Sequence, residues 1–310
     1  MTLAAVVIGR NEGARLRRSL QVLKGQVAQL IYVDSGSTDG SPAAAQSLGA
    51  KVVALDMTRP FTAARARNAG LAALGAEITL VQFLDGDCIL RDGWLEAAQA
   101  HLARNPKVAV VCGRRREEDP AASIYNTLID REWDTAPGEA LACGGDALMR
   151  LSALRDVGGY RDGLIAGEEP ELCQRLRRAG WQIWRLDAEM TWHDAQITRF
   201  GQWWRRSLRA GHAFAEGAAL HGKGPDRHWV AETRRALLWG AALPGAILVL
   251  AIFAPLAALL LVFAYFLQWL RLVRRGGFAW GSFTLLGKFP EALGVLKYHL
   301  RRDGRIIEYR

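Results

Sequence analysis

The sequence predicts an α/β protein, a doubly wound and mainly parallel sheet, followed by a C-terminal transmembrane helical hairpin. Three observations predict it. Short apolar runs alternate with stretches of helical spacing from Leu3 to Cys112. The acidic tripeptide Asp85-Gly86-Asp87 closes one of those runs, where open α/β sheets bind ligands. Residues 236–270 then carry no charged side chain at all.

The apolar runs 3–8, 30–33, 52–55, 78–84 and 108–112 are the strand candidates. Between them, 14–24, 41–48, 63–74 and 94–104 place apolar residues at helical intervals. Strands alternating with helices favour parallel pairing. After Gly113 comes a stretch of mixed charge, then a helix at 121–134 and a further segment at 140–148. Residues 167–179 and 199–220 read as two more helices, the second rich in Trp and Arg.

The run 236–270 spans about 35 residues, against roughly 20 for one bilayer crossing. As one straight helix it would be ~52 Å long, too long for a ~30 Å hydrocarbon core. Pro255 near its middle gives a place to turn. Arg234 and Arg235 precede the run, and Arg271, Arg274 and Arg275 follow it, which suits two spans near 17 residues with both ends in the cytoplasm. One tilted or re-entrant helix is the alternative. The expected organisation is an α/β domain over 1–220, a juxtamembrane linker over 221–235, the hairpin over 236–272 and a cytoplasmic amphipathic tail over 273–310. The expected location is the inner membrane, with the α/β domain facing the cytoplasm.

The formal net charge is +9, and much of the excess lies after Arg199, around the apolar segment. That distribution favours a membrane lipid surface over nucleic acid, and no RNA-binding aromatic signature, zinc spacing or basic heptad appears. The four cysteines, Cys88, Cys112, Cys143 and Cys173, are spread out and read as reduced thiols. The first residues look like a strand, without a basic leader.

Candidate chemistry sits at strand ends. Gly9-Arg10-Asn11-Glu12 follows the first strand, and Asp34-Ser35-Gly36-Ser37-Thr38-Asp39-Gly40-Ser41 follows the second, so both sets should face one crevice. Asp39 or Ser37 can cap the next helix, and Asp34 is placed to accept a nucleobase N–H. Arg65, Arg67 and Asn68 are either a solvated basic face or phosphate contacts. Asp85 and Asp87 can hold a hard divalent cation and, through it, a diphosphate. Glu168, Glu169 and Glu171 open a helix; acids suit a helix start, yet three exceed what a cap needs, and one could serve as a base. His193 ends a short apolar run and is either a packed histidine or a metal ligand.

Taken in order, Val6-Val7-Ile8-Gly9-Arg10-Asn11-Glu12, Val33 to Ser41, Arg67-Asn68-Ala69-Gly70, Asp85-Gly86-Asp87, Gly158-Gly159-Tyr160 and Gly167-Glu168-Glu169 resemble the inverting family 2 glycosyltransferases of GT-A fold, over residues 1–220. The resemblance implies a nucleoside-diphosphate sugar donor, most often of uridine diphosphate. It implies that Asn11, Glu12, Ser35, Arg67, Asn68 and Gly86 belong to the donor site, with Asp34 and Asp39 on the nucleoside and Asp85 on ribose or sugar. Asp87 would be the ligand of Mg2+ or Mn2+, completed by His193 as in some members, and Glu169 the catalytic base. Members more often carry Asp at the base position and a second Asp at Ser35; the longer base leaves Glu168 or Glu171 able to share the role. Gln202-Trp203-Trp204-Arg205-Arg206 echoes a processive-synthase signature only in part, so transfer of a single sugar is expected, to a hydroxyl acceptor that membrane anchoring would make lipid-linked.

Two other classes compete. A sugar-phosphate nucleotidyltransferase needs a glycine-rich phosphate loop after the first strand, which Gly9 to Arg15 matches poorly. A non-catalytic, membrane-tethered nucleotide-sugar binding protein has no use for the glutamate cluster.

Overall fold

Leu3, Ala4, Ala5, Val6, Val7 and Ile8 are all buried, as a central strand covered on both faces requires. The computed structural model, which describes residues 1–300, makes this strand β1 (Leu3–Gly9). Then follow α1 (Ala14–Leu23), β2 (Gln29–Asp34), α2 (Ser41–Ser47), β3 (Lys51–Ala54), α3 (Ala63–Ala72), β4 (Leu80–Asp85), β5 (Cys88–Leu90) and α4 (Trp94–Arg104). The remainder of the sheet region comprises β6 (Val108–Glu117), α5 (Ile124–Trp133), β7 (Gly138–Glu139), β8 (Ala147–Arg150), α6 (Leu151–Asp156), α7 (Glu168–Arg178) and β9 (Gln182–His193).

The sheet order is β3-β2-β1-β4-β8-β6-β9-β5, with β7 on β9. β1, β2, β3 and β4 are parallel, as expected. The second half departs from the expected mainly parallel sheet: β8 runs antiparallel to both β4 and β6, and β5 and β7 run antiparallel to β9. β8 enters from a loop at the carboxyl end of β4, with no crossover helix to reverse it, so it must run the other way. The chain passes from β1 outward to β3 and then returns to the far side of β1 as β4. That reversal is a switch point, and the carboxyl ends of β1 and β4 flank it. In register, Gly9 pairs with Asp34 and Ile8 with Asp85, which lines the polar strand ends side by side.

The chain divides into two compact units. One is Met1–Leu164 with Glu168–Gln196; the other is Ile165–Gly167 with the chain from Ile197 onward. The boundary therefore falls before residue 220, because α8 (Phe200–His221) packs within the second unit. Its Gly211 and Gly294 of α13 (Lys288–Leu300) let the two helix backbones touch: a Cβ at either would lie 2.0 Å from a carbonyl oxygen of the other helix. The expected linker over 221–235 contains the start of a helix, α9 (Val230–Leu237).

That helix runs through a π-type turn, Leu238–Ala242, into α10 (Leu243–Phe253). Pro244 has no N–H for the preceding turn, which opens there, and Tyr265 Oη donates to the Trp239 carbonyl at 2.9 Å. Ala254 breaks the helix, and Pro255 starts α11 (Pro255–Gly276), as expected of that proline. The two apolar helices, Val230–Phe253 of 24 residues and Pro255–Gly276 of 22, are long and apolar enough to cross a membrane. They exceed the expected 17 because helix continues through the arginine flanks. Leu248, Ile252, Phe253, Leu256 and Leu260 stand exposed on them. α12 (Phe278–Leu286) and α13 make the tail helical; the part of the expected tail beyond residue 300 lies outside the described residues.

Candidate active site

Arg67 is the centre of the site. It lies on α3 and is 2% exposed, yet both ends of its guanidinium are paired: its Nη2 donates to Asp85 Oδ1 at 2.8 Å and its Nη1 to Glu168 Oε1 at 2.6 Å. The expectation of a solvated basic face fails for this residue. Arg65, also buried, donates to the carbonyls of Asp56, Arg59 and Pro60 and holds the loop before α3.

A second arginine completes the wall. Arg115 Nη2 lies 2.7 Å from Asp146 Oδ2 and 3.7 Å from Asp85 Oδ2. Asp146 is wholly buried; its carboxylate accepts the Asp85 N–H at 3.0 Å and the Thr191 hydroxyl at 2.9 Å. Burial would push Asp146 up, but Arg115 and the Asp85 N–H prevail and hold it below the usual carboxylate range. Asp85 is thus fixed by two guanidinium groups and, through its own N–H, by Asp146.

The three glutamates of α7 have separate fates. Glu171 is 1% exposed and locked between Arg161 and Arg175, at 2.6 and 2.7 Å. Glu168 is committed to Arg67. Glu169 has no ion pair among the described residues, and burial together with the charge of Glu168 pushes it up to about 7. Arg67 and Arg115 act on it in the opposite sense, which puts Glu169 electrostatically within reach of the groups that hold Asp85.

On the other side of the acidic tripeptide, Asp87 Oδ2 faces His193 Nε2 at 3.3 Å. Both residues are buried, and with the Cys88 sulfur their donor atoms lie within 4.8 Å of one another. An oxygen and an imidazole nitrogen suit Mn2+ well and Mg2+ acceptably. Burial and the Asp146 charge push the Cys88 thiol well up. Asp87 and His193 fit a divalent cation.

The turns after β1 and β2 are tied together. Asn11, at φ 57°, accepts the Thr38 N–H at 2.7 Å, and its own N–H donates to Ser37 Oγ at 2.9 Å. Asp34 accepts the N–H groups of Gly36 and Ser37 at 3.0 Å and the Tyr32 hydroxyl at 3.0 Å, so it also shapes its own turn. Asp39 accepts both the N–H and the hydroxyl of Ser41 at the start of α2, which draws its pKa down. Ser35 Oγ is buried without a hydrogen-bond partner among the described residues. Glu12 pairs with Arg15 at 2.6 Å, and the Gly86 N–H donates to the Ile8 carbonyl at 2.8 Å. Asn68 points elsewhere: it bonds the backbone of Tyr160 and the Asp162 carboxylate.

Sequence reading missed Arg115, Asp146, Gly145 and Glu117. A Cβ on Gly145 would lie 2.8 Å from Asp85 Oδ2 and 2.9 Å from Arg67 Nη2. The signals were Gly144-Gly145-Asp146 ahead of an apolar run, and the alternation inside Arg114-Arg115-Arg116-Glu117. The four cysteines are free and buried, as expected; Cys143 and Cys173 bring their sulfurs to 3.6 Å.

The family model described as glycosyl transferase family 2 matches residues 5–158, the stretch holding the β1, β2 and β4 strand ends, Arg67 and Asp146. The chain belongs to glycosyltransferase family 2. Among relatives of this family-2 chain, the pre-mycofactocin glycosyltransferase of Mycobacterium tuberculosis is 32% identical over 239 residues, covering 73% of this chain and 48% of that protein. The succinoglycan biosynthesis protein ExoA of Rhizobium meliloti is 30% identical, covering 56% of this chain and 55% of that one. The chain thus spans about half the length of these curated relatives. In fold it is similar to a mannosyltransferase from Pyrobaculum calidifontis in complex with GDP-Man and Mn2+, with TM-score 0.68 and 20% identity, over 97% of this chain and 88% of that one. It is also similar to glucosyl-3-phosphoglycerate synthase from Mycobacterium tuberculosis in complex with Mn2+, uridine diphosphate and glucosyl-3-phosphoglycerate, with TM-score 0.50 and 20% identity, over 69% and 77%. The fold of this family-2 chain is accordingly GT-A, and structural neighbours are crystallised with Mn2+ or Mg2+.

Proposed function

We propose that this protein is a membrane-anchored inverting glycosyltransferase that moves one sugar from a nucleoside-diphosphate sugar, of the uridine type, to a hydroxyl acceptor. The observation that carries the reading is Glu169: among the acids of α7 it alone lacks an ion pair within the described residues, it is raised to about 7, and it senses the arginines that hold Asp85. A carboxylate tuned to about 7 takes up a proton at neutral pH and can exist there as the base.

In this reading the acceptor oxygen attacks the anomeric carbon, and the bond from that carbon to the diphosphate oxygen breaks. Glu169 takes the acceptor proton. Arg67 and Arg115 hold Asp85 toward the donor ribose or sugar, and the joined turns of Asn11, Glu12, Asp34, Ser35 and Asp39 form the nucleoside side. Asp87 and His193 would hold Mg2+ or Mn2+, which supplies positive charge for the departing diphosphate. Asn68 serves the donor site indirectly, by fixing the Gly159–Tyr160 turn against α3.

The two apolar helices, flanked by arginines at both ends, support an inner-membrane hairpin with the catalytic unit in the cytoplasm and a lipid-linked acceptor. Membranes incubated with a panel of labelled nucleoside-diphosphate sugars should release the nucleoside diphosphate and label a lipid extract. Pyrophosphate consumption in place of that release would assign a nucleotidyltransferase. Donor binding with neither would leave a binding protein.

A further inference from the structure

Two carboxylates face the two nitrogens of His193. Asp87 Oδ2 lies 3.3 Å from Nε2, and Glu117 Oε2 lies 3.8 Å from Nδ1. Nδ1 is buried with no hydrogen-bond partner among the described residues. The strand register makes the arrangement: His193 pairs with Glu117 across β6 and β9 and with Cys88 across β9 and β5. The edge-on Trp133 ring, 4.8 Å away between centroids, packs against the imidazole. Glu117 is fixed in turn by Asn126 Nδ2, donating at 3.2 Å to Oε1, and by the Ala195 N–H at 3.2 Å from Oε2. It has no arginine or lysine partner among the described residues, which is a costly state for a carboxylate buried this deeply.

We propose that Glu117 is the positioning residue of His193: it holds the imidazole proton on Nδ1 and so leaves the Nε2 lone pair for a divalent cation shared with Asp87. The inference rests on the reading of Asp87 and His193 as metal ligands. A neutral imidazole has one N–H and two carboxylates to give it to. Placed on Nε2, the proton bonds Asp87, and the two ligands satisfy each other instead of a cation. Placed on Nδ1, it faces Glu117, and both ligand atoms keep lone pairs aimed at one point. The cation would also supply, through the imidazole, the positive partner that Glu117 lacks.

The test uses full-length protein in detergent with 15N-labelled histidine. In the absence of metal, the His193 resonance, identified by its loss in H193A, should report Nδ1–H in the wild type. E117Q keeps an acceptor for Asn126 and turns its amide N–H toward Nδ1, so the proton should move to Nε2. With Mn2+ alone as the probe, E117Q should bind about 10–100-fold more weakly than wild type. E117D should retain the Nδ1–H form, and its thermal midpoint controls for folding. The double variant E117Q/H193A should bind no more weakly than H193A. An unchanged tautomer in E117Q, or a loss that persists in full in the H193A background, overturns the proposal. A wild type that shows the tautomer switch but binds no Mn2+ sinks the metal reading and leaves the hold of Glu117 on the ring standing.

Discussion

Glu168 accepts a hydrogen bond from Arg67 Nη1 at 2.6 Å, while its neighbour Glu169 has no ion pair among the described residues. In the proposed function, adjacent acids on one helix turn thus divide into a structural and a reactive group. Replacing Glu169 by Gln keeps size and loses the base, so turnover should fall about 10²–10⁴-fold with donor affinity nearly unchanged. Steady-state rates beside calorimetric donor binding check both halves. Full turnover in E169Q would move the base elsewhere.

The pH profile follows from the same carboxyl. Burial first, and then the Glu168 charge, raise Glu169 to about 7, and the base must be ionised to act. Rate should therefore rise with pH through an apparent value near that number. E168Q removes the neighbouring charge and should shift this acidic limb to lower pH. Stability runs the opposite way: the folded protein keeps this proton where the unfolded chain has already released it, so the Glu169 contribution to stability declines as pH rises from 4.5 toward about 7. E169Q should flatten that decline in a thermal melt series.

Much of the crevice was legible because each polar set directly follows an apolar run, and the carboxyl ends of parallel strands meet at one edge. The wall formed by Arg115, Asp146 and Glu117 was not. β6 continues five residues past Cys112 through Gly113-Arg114-Arg115-Arg116-Glu117, which reads as solvated charge. In the sheet, Arg115 and Glu117 share one face and Arg114 and Arg116 the other, because successive strand residues alternate. Only the neighbouring strand, β9, reveals that the first face is buried. Asp146 was hidden for a related reason: its value lies in three donors, from Arg115, Thr191 and the Asp85 backbone, that are remote in sequence.

Asp146→Ala tests that wall. It strands Arg115 beside Asp85 alone and leaves the Thr191 hydroxyl and Asp85 N–H unpaired. Breaking a buried pair from one side costs about 3–5 kcal/mol. A clear drop in the thermal midpoint of the full-length protein is expected, with donor affinity lost as Asp85 is released. A variant as stable as wild type would show that the pair contributes little.

Gly145→Ala tests the Arg67–Asp85 pair. The added methyl would sit 2.8 Å from Asp85 Oδ2 and 2.9 Å from Arg67 Nη2, so this held pair must shift to admit it. The backbone there needs no left-handed conformation. The melting temperature and donor affinity should both fall, because the pair of buried Arg67 with Asp85 is displaced. Calorimetry with the nucleoside diphosphate and Mn2+ reads the second effect.

Phe263→Arg addresses the membrane. Phe263 is 57% exposed near the middle of α11, where a bilayer's hydrocarbon would surround it. An arginine at the centre of a span costs about 2.5–3.5 kcal/mol, enough to shift a two-helix anchor toward release. Carbonate extraction should move part of F263R into the soluble fraction, whereas an arginine at exposed Phe278, beyond the end of α11, should leave the protein in the pellet. If F263R stays as firmly in the pellet as wild type, the exposed face of α11 does not meet lipid.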